Sequence, residues 1–407
     1  MKEMNKLSEY ARLCIEVGVN VQKNQCVMIN APVETMEFTR LLVEHAYKAG
    51  ARDVFVRWSD GITARLKYQY APKEEFETVP EFIKACLDYY LDRDTCYISV
   101  SADDPELLKG LDNDKIQASL KSQAKALLRW RRTLMNDESC WLVVSVPTDK
   151  WAKKVFPDSK NPMEDLWSAI FDATRMETED PVEAWKKHLG FLSERVKYMN
   201  EMNFKYLHYT SSNGTDLHIE LPEGHIWAGG GAYSMKGTFF VANIPTEEVF
   251  TLPKRDGVNG TVYSVKPLVY NGRLIDEFRL TFKDGEVVGY EAKVGKDILK
   301  ELLELDEGLK RLGEVALVPH DSPISNSNIL FYNTLFDENA SCHLALGRAY
   351  PTNIKDGVTM NEEELKAHGV NDSMTHNDFM IGAEDLHIVG EKSDGTKVDV
   401  FVNGNWA

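Results

Sequence analysis

Along the first 200 residues, short continuous apolar runs alternate with segments whose apolar positions recur every three or four residues. "LSEYARLCIEVGV" has helical spacing, "QCVMIN" predicts a short buried strand, "ETMEFTRLLVEHAYKAG" predicts an amphipathic helix closed by Gly50, and "DVFVRW" predicts a second strand. "CYISVS" and "CWLVVSVP" predict two more, separated by a helical region from about 105 to 136. Short apolar strands joined by crossover helices imply an open, mostly parallel α/β sheet. No Gly-x-Gly-x-x-Gly and no phosphate-loop lysine follows any of them, so the pattern does not indicate a nucleotide site.

Helical segments near 161–175 and 181–202 lead into a different texture. From "FKYLHYTSSNGTDLHIEL" onward the alternation has the two-residue period of strands, and "SNGTD", "YNGR" and "KDGEV" carry the Asn-Gly and Asp-Gly pairs that suit tight hairpins. One helix, "GKDILKELLELDEGLK", interrupts them. The expected organisation is an N-terminal α/β domain over residues 1–205 and a β-rich α+β catalytic domain over 206–407. A chain of 407 residues exceeds the size at which one core usually stops growing, which agrees with two domains.

Charge and cysteine content narrow the function. A net charge of −17 opposes an extended nucleic-acid or anionic-membrane surface, because phosphate binding needs dense Lys and Arg. The one basic run, "RWRR" at 129–132, sits in a helix-forming stretch and reads as a solvated helix face. The 6 cysteines show no Cys-x-x-Cys spacing and mostly fall inside apolar strand or helix patterns, as buried free thiols of a reducing compartment do. No apolar run approaches the ~18 residues of a membrane helix, and the N-terminal stretch has charges throughout. A cytoplasmic protein is expected.

Eight of the 10 histidines lie beyond residue 200, which directs the search for chemistry to the second domain. There, "NIPTEEVFTLP" places Glu247 and Glu248 in an extended stretch where consecutive side chains point to opposite faces, so only one of them can face a given site. "LGEVALVPHD" puts Glu314 on a strand face shared with Ala316 and Val318, where an acid is costly unless paired or metal-bound. "FDENASCHLALGRAY" offers Glu338, His343 and Tyr350, with Gly347 as a candidate bulge that re-aims the tyrosine. "SMTHNDFMIG" sets His376 and Asp378 on one face if extended. By contrast, His218 and Glu220 in "DLHIEL" read as the water-facing side of a half-buried strand. Four carboxylates and two imidazoles without cysteine suit two divalent ions, with histidine favouring zinc, cobalt or manganese over calcium.

"IPTEEVFT", the strand glutamate, the Glu-x4-His-x6-Tyr segment, "THNDFMIG" and "LPEGHIWAGG" together resemble the thermophilic-type metallo-aminopeptidases, the family of aminopeptidases T and S. The resemblance spans essentially the whole chain. It implies that Glu248, Glu314, Glu338, His343, His376 and Asp378 bind two metals, that Glu314 bridges them and handles the proton of the attacking water, and that Tyr350 donates its hydroxyl to the tetrahedral intermediate. It also implies peptide substrates with a free N-terminus, a homodimer, and Glu247 or Asp378 near the substrate amine. Neutral His343 and His376 are needed for metal binding, so activity is expected to fall below about pH 6. Two other readings remain open on the residues alone. One is a dinuclear hydrolase of a non-peptide amide or phosphoester, which a substrate panel separates; the other is a non-enzymatic binding protein, which would have no metal stoichiometry.

Overall fold

A computed structural model describes residues 2–102 and 104–407, with side chains from Asn5 onward. They form two compact units, Met1–Lys186 with Gly231–Pro245, and Lys187–Gly230 with Thr246–Ala407. The change of texture near residue 205 falls inside the second unit. Helix Pro181–Met202 passes from one unit to the other, and the segment Gly231–Pro245 returns to the first.

The first unit is built on the strands β1 (Cys26–Pro32), β2 (Asp53–Ser59), β3 (Thr95–Val100) and β4 (Trp141–Val144). Their order is β4-β3-β1-β2 with every pairing parallel, and the two-residue strand Asn243–Ile244 extends the sheet beyond β4, also in parallel. β1 opens on an unbroken apolar run because helices cover both faces of such a sheet, and Cys26, Val27, Met28 and Ile29 are all fully buried. The expected helix over 105–136 is two helices, Asn113–Ala126 and Leu128–Met135, joined at the non-helical Leu127. In the second of these, Arg129 of the basic run is paired with Asp88 and Asp92.

The second unit holds β5 (Tyr206–Thr210), β6 (Asp216–Glu220), β7 (Ala228–Gly229), β8 (Val249–Thr251), β9 (Val258–Tyr263), β10 (Leu268–Tyr270), β11 (Arg273–Lys283), β12 (Glu286–Val294), β13 (Leu312–Leu317), β14 (His343–Gly347), β15 (His376–Met380), β16 (His387–Glu391), β17 (Lys397–Val402) and β18 (Asn405–Trp406). One antiparallel sheet runs β10-β11-β9-β6-β5-β16-β17-β18, with β12 also paired to β11. The other, antiparallel throughout, runs β15-β14-β13-β8-β7. Two of the three expected tight turns are two-residue turns, while the Asn213–Gly214 pair lies in a five-residue loop between Thr210 and Asp216 in which only Gly214 has positive φ. Asn271 and Gly272 link β10 to β11, Asp284 and Gly285 link β11 to β12, and all four residues have positive φ, as a two-residue hairpin turn requires.

The core of this unit joins Leu207, Tyr209, Leu217 and Ile219 of the β5–β6 hairpin to Val315, Leu317, Leu344, Leu346 and Phe379 of the second sheet. Helix Lys296–Glu304 adds Leu299, Leu302 and Leu303 from one face. Each such fully buried leucine contributes about 1.5–3 kcal/mol. This packing consumes one set of alternating positions on β13, β14 and β15 and leaves the other set to converge on the opposite face.

Candidate metal centre

On that opposite face, strand register decides which side chains meet. Glu314 of β13 lies across from Ala345 of β14, which lies across from Asp378 of β15. The small alanine between them leaves room for two carboxylates to approach over it. His343 sits two residues before Ala345, and His376 lies across from Gly347, so both imidazoles flank the same row. Glu248 immediately precedes β8, whose Val249 pairs with Leu317 of β13.

The register between β13 and β14 slips by one residue between Leu312 and Glu314, making Gly313 the extra residue. A side chain there would meet the carbonyl oxygen of Gly347 at 2.4 Å, so only glycine allows the two backbones so close. The bulge expected at Gly347 thus lies on the neighbouring strand. Gly347 instead ends β14 with a φ of +107°, and the chain then turns to Tyr350, whose ring lies 5.2 Å from that of His376.

The distances form a continuous set. Nε2 of His343 lies 3.1 Å from Glu248 Oε2 and 3.4 Å from Glu314 Oε1, while Nε2 of His376 lies 3.5 Å from Glu314 Oε2 and 3.1 Å from Asp378 Oδ1. The two oxygens of Glu314 therefore face two different groups, Glu248 with His343 on one side and His376 with Asp378 on the other. Glu338, on the short turn Glu338–Ala340, is half-buried within electrostatic reach of Asp378, Glu248, His343 and Glu314. The "EE" pair divides as alternation requires. Glu248 faces His343, while Glu247 lies 3.5 Å from Nε2 of His188.

Both imidazoles are held in one tautomer. His343 Nδ1 donates to the carbonyl of Ser341 at 3.0 Å, and His376 Nδ1 donates to that of Arg348 at 2.7 Å. A carbonyl can only accept, so each Nδ1 carries a proton and each Nε2 is turned to the carboxylates, the arrangement that presents imidazole as a ligand. These two backbone acceptors were invisible to sequence reasoning. So was Asn339, whose Oδ1 accepts the N–H of Glu247 at 2.7 Å and whose Nδ2 donates to Leu335, fastening the Glu247–Glu248 segment to the turn that carries Glu338. Asp337 orders the approach to that turn by accepting the N–H groups of Phe331 and Asn333.

Burial raises the carboxyl of Glu314, and burial followed by the charges of Asp378 and Glu248 holds Glu338 well above the ordinary carboxylate range. Burial works against a charged His376, but Asp378 and Glu314 outweigh it and push the imidazole up to about 10. For His343 burial is likewise outweighed by hydrogen bonds to Glu248 and Glu314. Crowding four carboxyl groups together away from water favours the protonated forms of Glu314 and Glu338. Two divalent cations balance the four carboxylates with both imidazoles neutral. Two ligand atoms about 2.0–2.2 Å from one tetrahedral ion lie about 3.3–3.6 Å apart, close to the separations found here. The donor set fits such ions.

Burial, then the charges of Glu314 and Asp378, keeps the Tyr350 hydroxyl protonated far above its ordinary range, so beside this centre it is a hydrogen-bond donor.

A sequence profile of the thermophilic metalloprotease (M29) family matches residues 3–406. The chain is 50% identical to aminopeptidase AmpS of Bacillus subtilis (strain 168), with 99% of this chain and 98% of that protein covered. It is 47% identical to aminopeptidase 2 of Geobacillus stearothermophilus over the same shares. The solved structure of wild-type AmpT from Thermus thermophilus superposes with a TM-score of 0.92 at 37% identity, covering 99% of both chains.

Proposed function

The chain belongs to the thermophilic metalloprotease (M29) family and is a metallo-aminopeptidase, and from that premise we propose that it removes N-terminal residues from peptides at a dinuclear centre held by Glu248, Glu314, Glu338, His343, His376 and Asp378. The observation that carries this reading is the position of Glu314, whose two carboxylate oxygens each face a separate His–carboxylate pair. Divalent cations at such a centre polarise a carbonyl and lower the pKa of water from about 15.7 toward about 7.

The protein's own groups then divide the work. Glu314, buried between the two His–carboxylate pairs, would accept the proton of the attacking water and return it to the leaving amine. With cations bound, His343 and His376 would be neutral and, fixed by their Nδ1 hydrogen bonds, would orient the centre without taking part in proton transfer. Tyr350 donates its hydroxyl to the oxygen that becomes negative in the tetrahedral intermediate. Zinc, cobalt or manganese suits this mixture of imidazole and carboxylate.

The reading extends to a homodimer in the cytoplasm. Six free cysteines, five of them buried, support a reducing compartment, and no helix among the described residues is long and apolar enough to cross a membrane.

Hydrolysis of aminoacyl chromogenic amides should disappear on thorough chelation and return with zinc, cobalt or manganese, and N-acetylated versions should not be cleaved. Turnover that survives chelation contradicts the metal; equal cleavage of the acetylated substrates contradicts the exopeptidase.

A further inference from the structure

A second group of metal-ligating side chains lies on the β5–β6 hairpin. β5 and β6 pair in antiparallel register with His208 directly opposite His218, and Asp216 lies two residues before His218 on the same strand. Alternation sends Leu207, Tyr209, Leu217 and Ile219 into the core and turns His208, Asp216 and His218 together to the other face. The two imidazole rings stack at 3.8 Å with only 14° between their planes. Their Nε2 atoms converge on one oxygen, Asp216 Oδ1, at 2.8 Å from His208 and 4.0 Å from His218. The three ligand atoms all lie within 4.8 Å of one another.

We propose that His208, Asp216 and His218 form a second, surface site for a divalent transition-metal ion, separate in chemistry from the catalytic centre. Two imidazole nitrogens and one carboxylate oxygen select zinc, nickel or copper and disfavour magnesium and calcium, which take oxygen ligands. Three protein ligands on one face leave the remaining positions to water, so the ion exchanges freely with solvent.

An aspartate–imidazolium pair is the plain alternative, but it accounts for one ring only. Stacked rings at this distance repel if both are charged. The nearby His387 is hydrogen-bonded to Asp399 and stands outside the group. The scaffold is firm. Asp385 accepts the Ser211 hydroxyl and the Ser212 N–H, both at 2.7 Å, and Thr215 N–H is held by Asn213, so the turn between the strands is tied on both sides.

The test uses the full-length enzyme already loaded at its catalytic centre. Equilibrium dialysis against micromolar Zn2+ with metal analysis should find one more equivalent per chain in the wild type than in a His208→Gln/His218→Gln variant. Turnover of an aminoacyl amide and the circular dichroism spectrum should be the same in both. Zinc should raise the thermal midpoint of the wild type more than that of the variant, since an ion that binds only the folded hairpin stabilises it. Asp216→Asn should bind this extra ion roughly tenfold more weakly or worse, because even groups that only orient a ligand are worth 10–100-fold. Equal zinc content in wild type and double variant overturns the site, and wild-type affinity in Asp216→Asn overturns its three-ligand composition.

Discussion

Among the described residues, the buried carboxylates and imidazoles are His225, Glu247, Glu248, Glu314, Asp337 and His343, and all lie in the second unit. The first unit buries uncharged polar groups of the kind of Thr39, Thr95 and Ser145. Both units satisfy the hydrophobic requirement of a packed sheet, but only the second gathers fully buried carboxylates and imidazoles. An isolated ion costs several kcal/mol to bury, so a cluster of acids persists only where something compensates it. The first unit obeys the rules of stability, and the second departs from them where chemistry is done.

Substitution at Glu314 should break this contrast most severely. Glu314→Gln keeps the shape and removes one charge, so the metal-free protein should fold with an unchanged or higher unfolding midpoint while kcat falls roughly 10³–10⁴-fold. Near-normal turnover would make Glu314 a structural residue. Tyr350→Phe should lower kcat by about 10²–10³ with little change in KM, because the lost hydrogen bond forms only in the transition state. A matching loss confined to KM would assign the tyrosine to substrate binding instead.

Asn339→Ala sharpens the comparison by separating support from chemistry. It leaves the buried N–H of Glu247 without its acceptor, and urea unfolding should show a loss of about 1–3 kcal/mol together with a lower metal content. Unchanged metal content would mean that the Glu247–Glu248 segment holds its place without that bond.

The smallest effect belongs to the first unit. Asp137 is half-buried, and burial pushes its carboxyl up to about 6 although Trp141 Nε1 donates to it. Because the folded value lies above the ordinary one, the stability this group contributes is present at low pH and is lost as pH rises through about 6. Asp137→Asn keeps an acceptor for Trp141 and suits the positive φ of 51°. It should therefore stabilise the protein by about 1–2 kcal/mol at pH 8, by a vanishing amount near pH 4, and leave turnover alone. A stabilisation of equal size at both pH values would rule out the carboxylate's charge as the cause.

The same division governs what the amino-acid sequence revealed. β1 and β3 announce themselves because strands buried on both faces are built mainly of apolar residues, and the turns at Asn271–Gly272 and Asp284–Gly285 because positive φ selects those residues. The site is harder to read, since its side chains come from segments as far apart as Glu248 and Asp378 and meet only through long-range register. Local pattern identified acids and histidines in suspicious places, and family resemblance selected among them. It could not show that the extra residue is Gly313, because a bulge depends on the partner strand. Nor could it show the backbone acceptors of the two histidines, which are carbonyls that every residue possesses.

The two-residue strand Asn243–Ile244 has a consequence for biosynthesis. Its partner β4 is complete by residue 144, yet the flank that this late strand covers stays open until about a hundred more residues have left the ribosome. Through that interval the nascent chain exposes an unsatisfied hydrogen-bonding edge of the sort that recruits other strands. A chaperone that shields β4 during synthesis would suppress aggregation without touching the finished enzyme.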